Sequence, residues 1–487
     1  MPTKPETTLS QTAPPGDAMQ HNDHGERLTR GLSNRHIQLI AIGGAIGTGL
    51  FLGSGKTISV AGPSVIFVYM IIGFMLFFVM RAMGEVLLSN SGYRNFADFA
   101  GDLIGPWAGF MVGWTYWFCW IIIGIADLIA ISGYVAVWAP GLPLWVPALL
   151  TIGLFLLLNL VAVRLFGELE FWFALIKVVA IVALVVTGVV LIAIAFRSPN
   201  GDVASLANLW NDGGMFPKGF MGFIGGFQIA IFAFQGIELA GTAAAETKSP
   251  EKTLPKAINS IPVRVLLFYV CSLIVIMAVT PWHYASSDKS PFVEMFALAG
   301  LAGAAGVVNF VVLTSAASSA NSGIFSTSRI MYGMAGDGEA PETFNKLSKN
   351  HVPARALMLS CVCLLPGVIL LYAGDSVGQA FTLVTSISAI LFITVWGFIV
   401  VAYLAYRKKH PERHAESKFK MPGGKVMAWV VLVFFALVIV ALGFAEDTRI
   451  ALYAAPVWYL IMIATYFGLV RRAKRRLVKP AQDKSAA

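Results

Sequence analysis

Apolar runs of membrane-crossing length alternate with short polar connections along the whole chain. They lie at about 36–58, 63–88, 106–137, 146–163, 169–196, 218–245, 261–281, 302–334, 356–373, 378–406, 426–444 and 450–470. A helix needs about 20 mostly apolar residues to cross hydrocarbon, so the pattern predicts an all-α polytopic membrane protein with twelve transmembrane helices. The third and eighth runs are the longest, which predicts tilt or an extra interfacial turn.

Two runs are interrupted. The first contains Gly43-Gly44-Ala45-Ile46-Gly47-Thr48-Gly49, four glycines in seven residues, which is the wrong composition for a helix interior. The sixth places Gln235, Gly236 and Glu238 inside the apolar stretch Phe232-Ala233-Phe234-Gln235-Gly236-Ile237-Glu238. Ile40-Ala41-Ile42 aligns with Ile229-Ala230-Ile231, Gly47 with Gly236 and Leu50 with Leu239, at an offset of 189. Broken first and sixth helices predict a LeuT-type arrangement of five plus five helices in inverted repeats, with a polar site near the bilayer midplane. Repeat 1 would span 36–196 and repeat 2 218–406. Helices 11 and 12, at 426–470, would lie outside the repeats but inside a membrane domain of residues 35–471.

Composition agrees with this reading: 57% of residues are hydrophobic and 13% charged, too few charges to cover a soluble surface of 487 residues. Mean hydropathy is +0.74. The net charge of +9 would suit nucleic acid, but its placement does not. About 28 of the 35 Lys and Arg fall on the N-terminal side of the predicted membrane, about 4 on the other, and Lys56, Arg81 and Lys177 within or at the ends of helices. That bias predicts cytoplasmic termini. Residues 1–34 and 472–487 read as polar cytoplasmic tails, the second basic. The first run is too long and too glycine-broken for a cleaved signal peptide. Cys119, Cys271, Cys361 and Cys363 all fall in apolar runs and read as packing, with no metal or disulfide pattern.

The breaks carry the chemistry. Free N–H groups at the half-helix starting near Thr48 favour an anion, most naturally a carboxylate; the rival reading is glycine-mediated helix packing. Gly43, Ala45, Ile46, Gly47, Thr48 and Gly49 are the expected binding residues there. At the second break Phe232, Ala233, Phe234 and Gly236 are expected to take an ammonium group, through carbonyls such as those of Phe232 and Ala233. An anion site beside a cation site suits a zwitterion, hence a free α-amino acid. Glu238 and Lys177 are ionisable groups at membrane depth, functional by default, and are expected to carry protons. A structural acid and a snorkelling lysine are the alternatives. Asp127 either faces the cavity or does not, and Ser318, Ser319 and Asn321 in the run Ser315–Ser322 either complete the site or pack helices. Tyr116, Trp117 and Trp396 are further candidates for the wall. Arg81 and Glu85, spaced i, i+4, predict a structural ion pair, and Glu246 a polar cluster at the cytoplasmic end of the sixth helix. No enzyme signature, metal site or cofactor motif is present, and no soluble domain for ATP, so an ion gradient or substrate exchange must drive transport.

The run Asn34–Phe51, with Phe232–Glu246, Glu168–Phe173 and Ser315–Arg329, resembles the amino acid transporter family of the amino acid–polyamine–organocation superfamily. The stretches Gly53–Glu85, Gly105–Trp120 and Leu209–Gly219 are similar to the branch of that family that takes up D-serine, D-alanine and glycine. The resemblance implies proton-coupled uptake of these small neutral amino acids across the inner membrane. It places the substrate carboxylate on the first break, the amino group at the second, and coupling on Lys177 and Glu238. The expected partners are substrates, protons and lipid, with no nucleic acid; oligomeric state is undetermined. A permease for another amino acid (aromatic, GABA-like or cationic) and, from another class, a channel or nutrient sensor are the alternatives.

Overall fold

The computed structural model describes residues 46–93, 95–161, 163–239, 249–348, 352–374, 376–444 and 446–470. Gly43, Gly44, Ala45, Glu246 and both tails lie outside the described residues. What is described is helical, with no β-structure beyond one isolated bridge between Arg197 and Val203.

The first break opens on a single turn, α1 (Thr48–Phe51), continued by α2 (Gly53–Ala61). Gly62 ends α2 at a φ of 63° and is followed by Pro63, a helix stop that only glycine provides cheaply. Then come α3 (Val65–Ser89), α4 (Phe96–Leu103), α5 (Pro106–Trp138), α6 (Trp145–Val161) and α7 (Val163–Ala193). The second half holds α8 (Gly219–Ala230), a 3₁₀ turn (Ile231–Phe234), α9 (Pro250–Asn259) and α10 (Ile261–Arg264). A π-turn over Val265–Val270 leads into α11 (Cys271–Val279), followed by α12 (Pro291–Leu298) and α13 (Ala302–Gly336). The rest are α14 (Ala354–Val362), α15 (Leu365–Ala373), α16 (Val377–Lys409), α17 (Pro411–Glu416), α18 (Gly424–Ala441) and α19 (Glu446–Thr465).

Among the described residues nine helical runs are long and apolar enough to cross a membrane, with shorter apolar helices at Trp145–Leu160 and Gly219–Phe234. Each of the twelve runs expected from the sequence contains helix. The seventh is not one continuous helix, because the π-turn interrupts it.

Burial sorts the helices into centre and rim. The most apolar stretch of α5 is 78% buried, that of α7 28% and that of α19 17%. α5 packs against both α13 and α16, while α2 packs against α8. Outward stripes stay exposed and apolar: Leu150, Leu154 and Leu157; Val179, Val182, Val186 and Val190; Val426, Val430, Val433 and Leu437. Recurrence every three or four residues puts each stripe on one helix face. Patches this extensive suit lipid rather than water.

Candidate functional site

The two interrupted segments meet inside the bundle. Gln235 leaves the helical region at ψ 142°, and Gly236 turns the chain at φ 90°. That φ is strained for any residue with a Cβ, so the second break falls where the sequence put it. On the first segment Gly47 is extended (φ −129°, ψ −165°), and the first helical bond runs from Leu50 N–H to the Gly47 carbonyl at 3.2 Å. The N–H groups of Thr48 and Gly49 therefore precede the helical ladder.

Backbone makes the contact between the breaks. A Cβ on Gly49 would stand 2.5 Å from Ala233 Cα and 2.8 Å from its nitrogen, so this glycine serves the approach of the two segments. Gly47 differs: among the described residues its Cβ would meet only Ser319 Oγ, at 3.7 Å. Gly47 and Ser319 are partly exposed, whereas Ile46, Thr48, Gly49 and Asp127 are buried. Accessible space thus reaches the turn at Gly47.

Asp127, midway along α5, is wholly buried and accepts the Thr48 hydroxyl at 2.6 Å through Oδ1. Its Oδ2 has no hydrogen-bond partner among the described residues. Ser319 flanks the carboxylate from α13, and the buried Lys177 ammonium acts on it electrostatically from α7. Ser315 Oγ donates to the Ile46 carbonyl at 3.4 Å. The sequence left Asp127 open between cavity and packing; the fold sets it against the first break.

Glu238 is equally buried at the second break. Tyr116 donates to its Oε1 at 3.1 Å, Oε2 has no hydrogen-bond partner among the described residues, and Trp396 lies beside it. Gln235 Oε1 accepts from Ser388 at 2.7 Å. Phe232 meets Phe381 edge-on at 5.6 Å between ring centroids.

Other expected site residues are engaged elsewhere. The Ala233 carbonyl accepts from the Tyr269 hydroxyl at 2.8 Å and that of Phe232 from Gln235 N–H at 3.2 Å, so each offers a ligand only its second lone pair. Phe234 stacks on Tyr269 at 4.9 Å and contacts Tyr69, away from the first break. Asn321 accepts from Asn159 Nδ2 at 2.7 Å, joining α13 to α6. Ser318 is buried, and Trp117 packs edge-on against Trp114. The expected Arg81–Glu85 ion pair does not form. Glu85 takes His414 Nδ1 and the Met421 N–H, while Arg81 reaches Asn259 and the Lys420 carbonyl and lies over Phe419. The segment 410–421 outcompetes the helical neighbour because it supplies a backbone donor and a ring at fixed positions. Sequence reasoning missed Ser388, Tyr269 and Asn159. The cluster Thr382-Thr385-Ser386-Ser388 and the lone Asn159 in apolar runs were legible signals; Tyr269 had none.

These elements fall within residues 36–479, which match the family model described as amino acid permease. The chain belongs to the amino acid permease family. A D-serine/D-alanine/glycine transporter of Escherichia coli is 63% identical over 437 residues, 90% of this chain and 93% of the relative. An amino-acid permease of Bacillus subtilis is 53% identical over 92% of this chain and 97% of its own length. A serine permease of Lactococcus lactis is 42% identical, again over 92% and 97%. The permease is thus a multi-pass membrane transporter rather than an enzyme, and its two breaks lie within the matched region.

Proposed function

We propose that this permease imports glycine, D-alanine and D-serine by proton symport across the bacterial inner membrane. It would use alternating access between two inverted five-helix repeats within a twelve-helix domain, both termini being cytoplasmic. The observation that carries the reading is the meeting of the two breaks at Gly49 and Ala233, with the partly open turn at Gly47 beside it. The Thr48 and Gly49 N–H groups, with Gly43 and Ala45 earlier in the same glycine-rich run, would hold the substrate carboxylate. The amino group would face the second break at Phe232, Ala233 and Gly236, and Lys177 and Glu238 would serve proton coupling.

Small substrates suit the second break, where Phe232 meets Phe381 edge-on and a bulky side chain would have to break that ring contact. Support for the D-enantiomers comes from the names of relatives alone. A second reading, uptake of serine without preference for the D-enantiomer, is favoured by the Lactococcus relative's name as a serine permease. Uptake of labelled glycine, D-alanine and D-serine into proteoliposomes under an inward proton gradient tests the proposal. Uptake of all three above protein-free vesicles is expected; uptake of none overturns it. Competition by L-serine as strong as by D-serine favours the second reading.

A further inference from the structure

Asp127 occupies the position that a substrate carboxylate would seek. Its Oδ1 is held by Thr48, on the turn whose Thr48 and Gly49 N–H groups precede the helical ladder, and its Oδ2 is buried without a hydrogen-bond partner among the described residues. A carboxyl oxygen left unmatched in a dry site is costly when the group is ionised and tolerable when it carries a proton. The open space at Gly47 and Ser319 adjoins that same carboxyl.

The charges around it can be counted. Among the described residues, the titratable and charged groups acting on Asp127 are Lys177 from α7 and Tyr134 from its own helix. Thr48 and Ser319 contribute hydroxyls only. One ammonium balances one carboxylate. When a second carboxylate, the substrate's, arrives at Gly47–Gly49, the site holds one negative charge too many, and like-charged carboxylates this close share a proton.

We propose that Asp127 binds the proton that accompanies the substrate: the turn at Gly47–Gly49 accepts a carboxylate only when Asp127 is protonated. The inference rests on the amino acid symport reading and deepens it, adding Asp127 as the group that takes up the substrate-linked proton beside the coupling role proposed for Lys177 and Glu238.

The experiment uses the full-length protein in proteoliposomes, with glycine as probe and exchange measured at equal internal and external pH. For the wild type the apparent affinity for glycine should weaken about tenfold per unit of rising pH on the alkaline side, as linkage of one proton requires. D127N, neutral and nearly isosteric, should still exchange glycine, with an affinity independent of pH, and should lose accumulation driven by an imposed proton gradient. A D127N protein that retains the slope, or still accumulates glycine on a proton gradient, overturns the inference while leaving the symport reading intact. Should D127N not fold, proton uptake on adding glycine to wild-type protein in weakly buffered detergent decides: glycine binding without proton uptake overturns it. Wild-type protein that exchanges none of glycine, D-alanine and D-serine overturns the symport reading itself.

Discussion

Gly49 and Ala233 bring the two interrupted segments into backbone contact, with no room for even a methyl group between them. Ala233 presents its own Cα and nitrogen there, neither of which can rotate out of the way. Gly49→Ala should therefore cost about 1–3 kcal/mol or more by overpacking, read as a lower unfolding temperature in detergent. Gly47→Ala meets only Ser319 Oγ at ordinary contact distance. It should unfold like the wild type yet raise the KM for glycine several-fold, since it lines the accessible turn. Equal thermal losses in the two variants would contradict this division of roles.

Gly236 holds a φ of 90° at the second break. Gly236→Ala should destabilise by about 1–2 kcal/mol from the left-handed backbone alone. If the strain relaxes by straightening the break, transport fails as well; a variant with unchanged melting and unchanged uptake would show that the turn is not needed.

The segment around α17 is fastened to α3 by the Glu85 carboxylate as well as by Arg81. Glu85 is wholly buried and accepts from His414 Nδ1 at 2.5 Å and from Met421 N–H at 2.7 Å. Glu85→Ala should cost about 1–3 kcal/mol by stranding the Met421 donor and should speed proteolysis between residues 410 and 425. His414→Ala removes one bond and leaves the backbone donor satisfied, so its effect should be smaller. Cleavage as slow in Glu85→Ala as in the wild type would refute the fastening.

Asn159 and Asn321 form one buried side-chain bond between α6 and α13. Each alanine substitution should lower stability, and the double variant should be little worse than either single one, with a coupling energy of about 1 kcal/mol. Glycine KM should not change in the variants that fold. A large rise in KM for Asn321→Ala alone would return that residue to the substrate site.

The elements that could be read from the sequence are those with a local cause. A backbone turn at φ 90° demands glycine, so Gly236 left its mark in composition. A helix crossing hydrocarbon must be apolar for its length, so the nine long apolar helices among the described residues were visible as runs. Membrane depth makes every ion costly, which singled out Asp127, Lys177 and Glu238. The partners of those ions were not legible. Thr48 and Asp127 are 79 positions apart and meet only because α5 lies beside the first break. The same blindness produced the expected Arg81–Glu85 pair: helical spacing says which neighbours are near, not which distant donor arrives with better geometry. Gly49 stood out as one glycine of a break, but nothing in its vicinity announced its contact with Ala233.

The bare contact at Gly49 also has a mechanical meaning. Where two backbones touch without intervening side chains, no rotamer can absorb a displacement, so motion of one segment is handed directly to the other. The pair acts as a rigid coupling, and any sliding must occur at a softer boundary. Such a boundary runs along the central α5, which meets the coupled segments through Thr48 to Asp127 and Tyr116 to Glu238. Each of these bonds ends on a buried carboxylate, so the boundary that can slide is also where the site carries its acids.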